Sequence, residues 1–197
     1  MPNIWFTSDH HFGHQNIIKY TNRPFESVPE MDEMLIQYHN ELVKPDDIVW
    51  HLGDLALGTF EDSIQKAARL NGQKVLIPGN HDRVWSKEKP ARQERFKPMY
   101  EEAGYRVFPE QVSLFSTGFA PGPNPEYIAL MSHLPSEGDS HGEDRYSEMR
   151  PETDLPILCG HVHDEWATKG RNFNVGVDVH NFRPVHLDEV LAWINTL

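Results

Sequence analysis

A single cysteine, Cys159, stands among 197 residues. An intramolecular disulfide is therefore impossible, which excludes the disulfide-stapled secreted domains and agrees with a reducing compartment. Long apolar runs are missing too, and nothing approaches the roughly 20 residues that a helix needs to cross a bilayer. The opening "MPNIWFTSD" has no basic segment followed by an apolar stretch and a cleavage site. It reads as lacking a signal peptide, so a cytoplasmic address is expected and no membrane partner. Basic residues are scarce: 18 Lys+Arg against 30 Asp+Glu give a formal net charge of -12. Binding of long nucleic acid needs a positive surface to displace counterions, so this balance argues against a duplex-tracking protein. It leaves room for a small phosphate ester, because bound divalent cations can reverse the local field. One stretch departs from the average: "RVWSKEKPARQERFK" (83–97) holds six basic and two acidic residues. It reads either as the solvated face of a helix or as a basic rim beside an anion site.

What is present is an alternation of short apolar runs and helical periodicity. "NIWFTSD" (3–9), "DDIVWHLGD" (46–54) and "QKVLIPGN" (73–80) read as strands. Between and after them, 29–44, 60–72 and 91–104 read as helices, with Gly72 placed like a C-cap and Pro98 expected to bend or split the third. In the second half, 105–115 and 126–133 read as strands around the Pro/Gly-rich turn "GFAPGPNPE", and 135–154 as a long loop or short-helix insertion. Strands at 155–163 and 173–180 and a helix at 187–197 complete the chain. No repeat or linker interrupts it, so one α/β domain over residues 1–197 is the economical expectation. Nothing in the sequence speaks to an oligomeric state.

The polar residues matter for where they fall. Asp9, Asp54, Asn80, His133 and His161 each sit at or just beyond the C-terminal end of a separate expected strand, where α/β sheets gather ligands. In "SDHH", an extended backbone would point Asp9 and His11 to one side and His10 away. In "LGD", Gly53 allows a tight approach and Asp54 offers two oxygens. "PGNHD" supplies the Asn80 amide oxygen and an adjacent His81–Asp82 pair. "MSHLP" offers His133, and "CGHVH" puts His161 and His163 on one side of an extended segment. Singly, each is as consistent with ordinary turn or packing chemistry as with a site. In the order D-x-H, GD, GNHD, H, GHxH they form a specific signal. Imidazole and oxygen donors without thiolate suit Mn, Fe or Zn and do not choose among them; Mn is the cation we expect.

These blocks resemble, in order, those of the calcineurin-like metallophosphoesterases, over Asp9 to His163. The resemblance implies a two-layer mixed β-sandwich flanked by helices, with two divalent metal ions at the sheet edge. It further implies one ion held by Asp9, His11 and His163, and a second by Asn80, His133 and His161, with Asp54 bridging. It makes His81 the catalytic histidine and Asp82 its orienting partner, and it implies attack on phosphorus by a hydroxide shared between the ions. "FTSDHHFGHQNII" followed by "NRPF" is similar to a narrower subgroup of small phage and bacterial phosphoesterases. That likeness points to a phosphodiesterase acting on small or cyclic nucleotides, ahead of a phosphomonoesterase, a nucleotide pyrophosphohydrolase or a single-strand nuclease. Asn80, His14 and Arg23 are the candidates for touching substrate; His14 could equally cap the next helix, and for Arg23 a structural loop role comes first and a phosphate clamp second. His51 is read as packing, Cys159 as inert core, and Asp178 and His180 as surface residues with a supporting hydrogen bond as the alternative. A non-catalytic metal-dependent binding module is the reading from a different class. The His81–Asp82 pair argues against it, since a scaffold needs neither.

Overall fold

The computed structural model describes residues 2–108, 112–116, 127–140 and 144–197. Its strands form two five-stranded sheets. In the first, β1 (Ile4–Thr7), β2 (Ile48–His51), β3 (Gln73–Leu76) and β4 (Tyr105–Val107) pair in parallel, and β10 (Val185–His186) adds antiparallel to β1. The second runs β5 (Val112–Phe115), β6 (Ala129–Ser132), β7 (Ile157–Cys159), β9 (Asn172–Asn174), β8 (Thr168–Lys169), parallel through β6, β7 and β9 and antiparallel at both edges. Runs such as IWFT and IVWH carry apolar side chains on both faces because both faces of a parallel sheet are covered.

Among the described residues five helices supply the cover: α1 (Gln15–Tyr20), α2 (Val28–Leu42), α3 (Phe60–Ala67), α4 (Pro90–Glu102) and α5 (Leu187–Ile194). α2 starts where Ser27 accepts a hydrogen bond from the Glu30 amide, with Pro29 in the first turn, both standard devices for relieving unpaired amides at a helix start. Met31 and Leu35 of α2, Ile64 of α3 and Tyr100 of α4 pack with Leu76 and Tyr105 of the first sheet. A second core lies between the sheets, where Phe6, Leu52 and Ile77 meet Phe115, Met131 and Leu158, and α5 lends Val190 and Trp193. Two sheets sharing a core and flanked by helices are the α/β sandwich that the sequence led us to expect.

Several local expectations are corrected. The stretch 105–115 is two strands in different sheets: Tyr105–Val107 extends the first, and Val112–Phe115 opens the second. Pro109, which cannot donate to a ladder, lies between them in sequence; it and the turn expected at 118–126 lie outside the described residues. The strand expected at 173–180 ends at Asn174, after which Val177–Val179 form a 3-10 turn. Pro98 sits inside α4, which continues through it to Glu102. Among the described residues of 135–154 only Ser147–Met149 is helical, as a 3-10 turn. β8 and β10 were not anticipated, being too short to show a period, and α1 only through the capping role open to His14. Among the described residues no helix is long and apolar enough to cross a membrane.

Candidate metal centre

Asp9, Asp54, Asn80, His133, His161 and His163 follow β1, β2, β3, β6 and β7, and the two sheets bring these ends together. They do not converge by extended backbone, as the i, i+2 spacing suggested. Asp9, His11, Asp54, His161 and His163 have φ of 58°, 53°, 55°, 72° and 47°. Left-handed conformations at non-glycine residues cost on the order of 1–3 kcal/mol each, so the surroundings must enforce them. Asp9 N donates to Gly53 O at 3.0 Å and His11 N to Asp54 O at 3.1 Å, tying the first turn to the second. Gly79 lies so close that a Cβ there would collide with the Asp54 carboxylate and amide, so the third strand end abuts the second.

The resulting cluster contains buried polar atoms that the protein does not satisfy. Asp9 Oδ1 and both ring nitrogens of His11 have no hydrogen-bond partner among the described residues. His11 Nε2 stands 3.8 Å from Asp9 Oδ1 and 3.6 Å from Asp54 Oδ2, and His133 Nε2 is 3.4 Å from the same Asp54 oxygen. One donor atom each from Asp9, His11 and His163 lies within 4.8 Å of the others, and so does one each from Asp9, Asp54 and His133. Asn80 Oδ1 sits 3.0 Å from both His133 Nε2 and His161 Nδ1. Leaving such groups unpaired in a dry interior is expensive, and converging oxygen and imidazole donors fit divalent cations.

Charge states follow from burial and proximity. Burial holds the His11 imidazole well below its usual range and His161 down to about 3, the neutral forms a cation requires. Burial also raises Asp9, whereas Asp54, despite burial, is held well below the usual carboxylate range by His133. For His133 burial is outweighed by Asp54, which pushes it up to about 9. A raised histidine supports the metal-free fold fully below its ordinary value, and that support is lost as pH rises through about 9. A cation taking His133 must then expel its proton. Calorimetric titration with Mn²⁺ near neutral pH, in buffers of different ionisation enthalpy, is expected to show proton release from His133 and His163, of which His133→Asn removes about one proton. That release should fade above about pH 9. Proton release unchanged by His133→Asn would contradict the assignment.

Behind the cluster the structure places residues differently from expectation. Arg23 does not line the cavity. Its guanidinium is fully buried, pairs with Asp178 at 2.7 Å, and donates to the carbonyls of Asp9 at 2.7 Å and His10 at 2.9 Å. Asp178, expected at the surface, is buried and also accepts from His163 Nδ1 at 3.4 Å. It holds His163 above its usual value against the effect of burial, and its carboxylate orients the ring. His180 is only partly exposed; its Nε2 meets Asn174 O at 2.6 Å, the supporting hydrogen bond held as the alternative. Asp82 is not the partner of the His81 ring either. It is buried and accepts from the amides of Asp54, Leu55 and Gly79 and from the Tyr100 hydroxyl. Burial, with Asp54 beside it, pushes Asp82 up to about 6. It joins the second and third strand ends, so its presence no longer distinguishes an enzyme from a scaffold.

His81 is exposed, its amide donating to Asp54 Oδ1 at 2.9 Å and its ring lying 5.6 Å from that of His11. His14, His81, His161 and His163 line a cavity of about 260 Å³ over the cluster, together with Tyr20 and Arg145. His14 occupies the N-cap of α1 without a side-chain cap bond, which turns its role towards the cavity. His10 faces away, Nδ1 lying 2.9 Å from His51 Nε2, and both rings are buried. Cys159 is buried core. Sequence reasoning missed Asp139, whose Oδ1 lies 3.3 Å from His161 Nε2, and Tyr146, whose ring is 5.6 Å from that of His161. Both come from the aperiodic 135–154 stretch, which offers no spacing signal.

A buried Asp/His cluster at the strand ends of a two-sheet α/β fold, able to take divalent cations, defines the class of metallophosphoesterases. The chain belongs to the calcineurin-like phosphoesterase family, whose sequence model matches residues 2–165. It is 33% identical over 205 residues to Uncharacterized protein MJ1445 of Methanocaldococcus jannaschii, covering 98% of this chain and 92% of that one. It is also 33% identical over 209 residues to the Gene 66 protein of Mycobacterium phage L5, covering 99% and 95%. Among solved structures, the protein of unknown function AQ665 from Aquifex aeolicus superposes with a TM-score of 0.70 at 23% identity, over 98% of this chain and 100% of that one. That likeness supports the fold.

Proposed function

We propose that the protein is a dinuclear metal-dependent phosphodiesterase of small or cyclic nucleotides, working in the cytoplasm with manganese as its cation. The observation that carries the metal-dependent reading is the set of buried, unsatisfied donors on Asp9 and His11 facing Asp54 and His133. Asp9, His11 and His163 would hold one cation, and Asn80, His133 and His161 the other, with Asp54 between them. Such a pair, when bound, supplies a nucleophile from water at neutral pH and offsets charge developing on the phosphoryl group. Asp178 and Asp139 would orient His163 and His161 from outside. His81, exposed at the cavity wall, would hydrogen-bond a phosphoryl oxygen or give a proton to the departing alkoxide, a role worth about 10²–10⁴-fold. His14, which lines the same cavity, would contact the phosphoryl group too. The diesterase choice rests on the subgroup likeness and on a cavity of about 260 Å³, which suits a small substrate.

The purified protein with Mn²⁺ is expected to hydrolyse bis(p-nitrophenyl) phosphate, and EDTA to abolish this. A side-by-side panel of 2′,3′-cyclic, 3′,5′-cyclic, monoester and pyrophosphate substrates then ranks the classes. Absence of turnover with every divalent metal sinks the enzyme reading, and preference for monoesters sinks the diesterase one.

A further inference from the structure

The stretch 83–97 contributes α4 and the loop before it, and part of it borders the candidate centre. Asn80 and His81 line a second groove of about 330 Å³, together with Gly58, Arg83, Glu88 and Arg92. Asn80 also touches His133 and His161, and His81 also lines the main cavity. The groove therefore opens directly off the cluster.

Arg83 is held in this groove with its charge unspent. Its amide donates to the Tyr100 hydroxyl at 3.1 Å, and that hydroxyl donates to Asp82 Oδ1 at 3.1 Å, so its backbone is tied to the loop that carries His81. Its guanidinium lies over the rings of Phe60 and Phe96, at 4.8 and 4.7 Å, which fixes the side chain. Among the described residues Arg83 makes no side-chain hydrogen bond and no ion pair. Arg23, Arg69, Arg145, Arg150 and Arg183 do pair with carboxylates, as an acidic chain makes easy. Arg92 pairs with Glu88, four residues before it and also lining the groove, at 3.3 Å; both are partly exposed, so its charge is available when Glu88 swings into water. A stacked, unpaired guanidinium presents a fork of N–H donors that matches phosphate oxygens.

The geometry points to a subsite for a second phosphate: the groove of Arg83 and Arg92 takes a terminal phosphate of a nucleotide whose scissile phosphate lies at the metal centre. The inference rests on the phosphoesterase reading and narrows its substrate class to nucleotides carrying two phosphate groups apart from one another. The test is equilibrium binding to the Mn²⁺-loaded protein at constant ionic strength, comparing adenosine 5′-monophosphate with adenosine 3′,5′-bisphosphate. The bisphosphate is expected to bind on the order of tenfold tighter. Arg83→Met, which keeps an apolar stem against the two rings, should bring the ratio close to one, and Arg83→Lys should restore part of it. Lys97→Met, further along α4, serves as a control that leaves the ratio in place.

A ratio near one in the unaltered protein, or one that persists in a folded Arg83→Met variant, overturns the subsite, as does failure of both nucleotides to bind. Hydrolysis of bis(p-nitrophenyl) phosphate with a ratio near one removes the subsite and leaves the phosphoesterase reading intact. An Arg83-dependent ratio without any turnover does the reverse.

Discussion

Asp54→Asn is expected to abolish turnover of bis(p-nitrophenyl) phosphate while leaving the fold intact. Asp54 stands at the meeting point of the cluster. One oxygen accepts from the His81 amide, and the other lies 3.6 Å from His11 Nε2 and 3.4 Å from His133 Nε2. An amide of the same shape keeps an oxygen for the His81 amide, so the loop should hold. It removes the charge that two cations would share, and it puts a donor where an acceptor is needed. Losing a properly held cation forfeits several kcal/mol of transition-state stabilisation, and at about 1.36 kcal/mol per decade this is on the order of 10³-fold in rate. Metal content measured after desalting should fall together with rate. Full metal content with unaltered turnover would remove Asp54 from the bridging position.

Arg23→Met is expected to destabilise the protein by about 3–5 kcal/mol, the range for removing one partner of a buried ion pair. The Asp178 carboxylate would lose donors at 2.7 and 2.9 Å in a site only 2% exposed. The carbonyls of Asp9 and His10 would lose theirs, at the turn where Asp9 and His11 are forced to positive φ. For a chain of this length the melting temperature should drop by roughly 6–20 °C. The exposed pair of Arg183 and Glu41, 2.7 Å apart, is the comparison: Arg183→Met should change stability by only about 0–1 kcal/mol. Thermal melts of the two variants decide the matter. An unchanged melting temperature with a raised KM would return Arg23 to the substrate side, as a phosphate clamp.

The two variants separate what a reader of the sequence could and could not see. Asp54 was legible because a short apolar run ends in Gly-Asp, and the four companion blocks do the same at their own strand ends. Arg23 was legible only as a choice between clamp and structural loop. Asp178, its partner, is 155 positions away and sits inside a 3-10 turn that imitates a strand in sequence. The His81–Asp82 adjacency was misleading in the same way. Neighbours in the chain point in different directions, and Asp82 turns inward to three amides and Tyr100 while His81 stays in the solvent-facing wall.

The sequence by itself determined the α/β layering, the family, and the chemical types of the donor set, because strand ends and ligand blocks are local patterns written in hydropathy and residue type. Only the tertiary structure decided how those donors converge. The left-handed turns at Asp9, His11, Asp54, His161 and His163 are imposed by contacts between distant segments, not by local preference, since isolated residues of these types favour negative φ. It also decided that Arg23 and Asp178 stand behind the centre, and that Arg83, one cation in a charged stretch, faces the groove beside His81. Those assignments depend on which buried charge meets which partner across the packed layers, and pairing of that kind leaves no trace in sequence order.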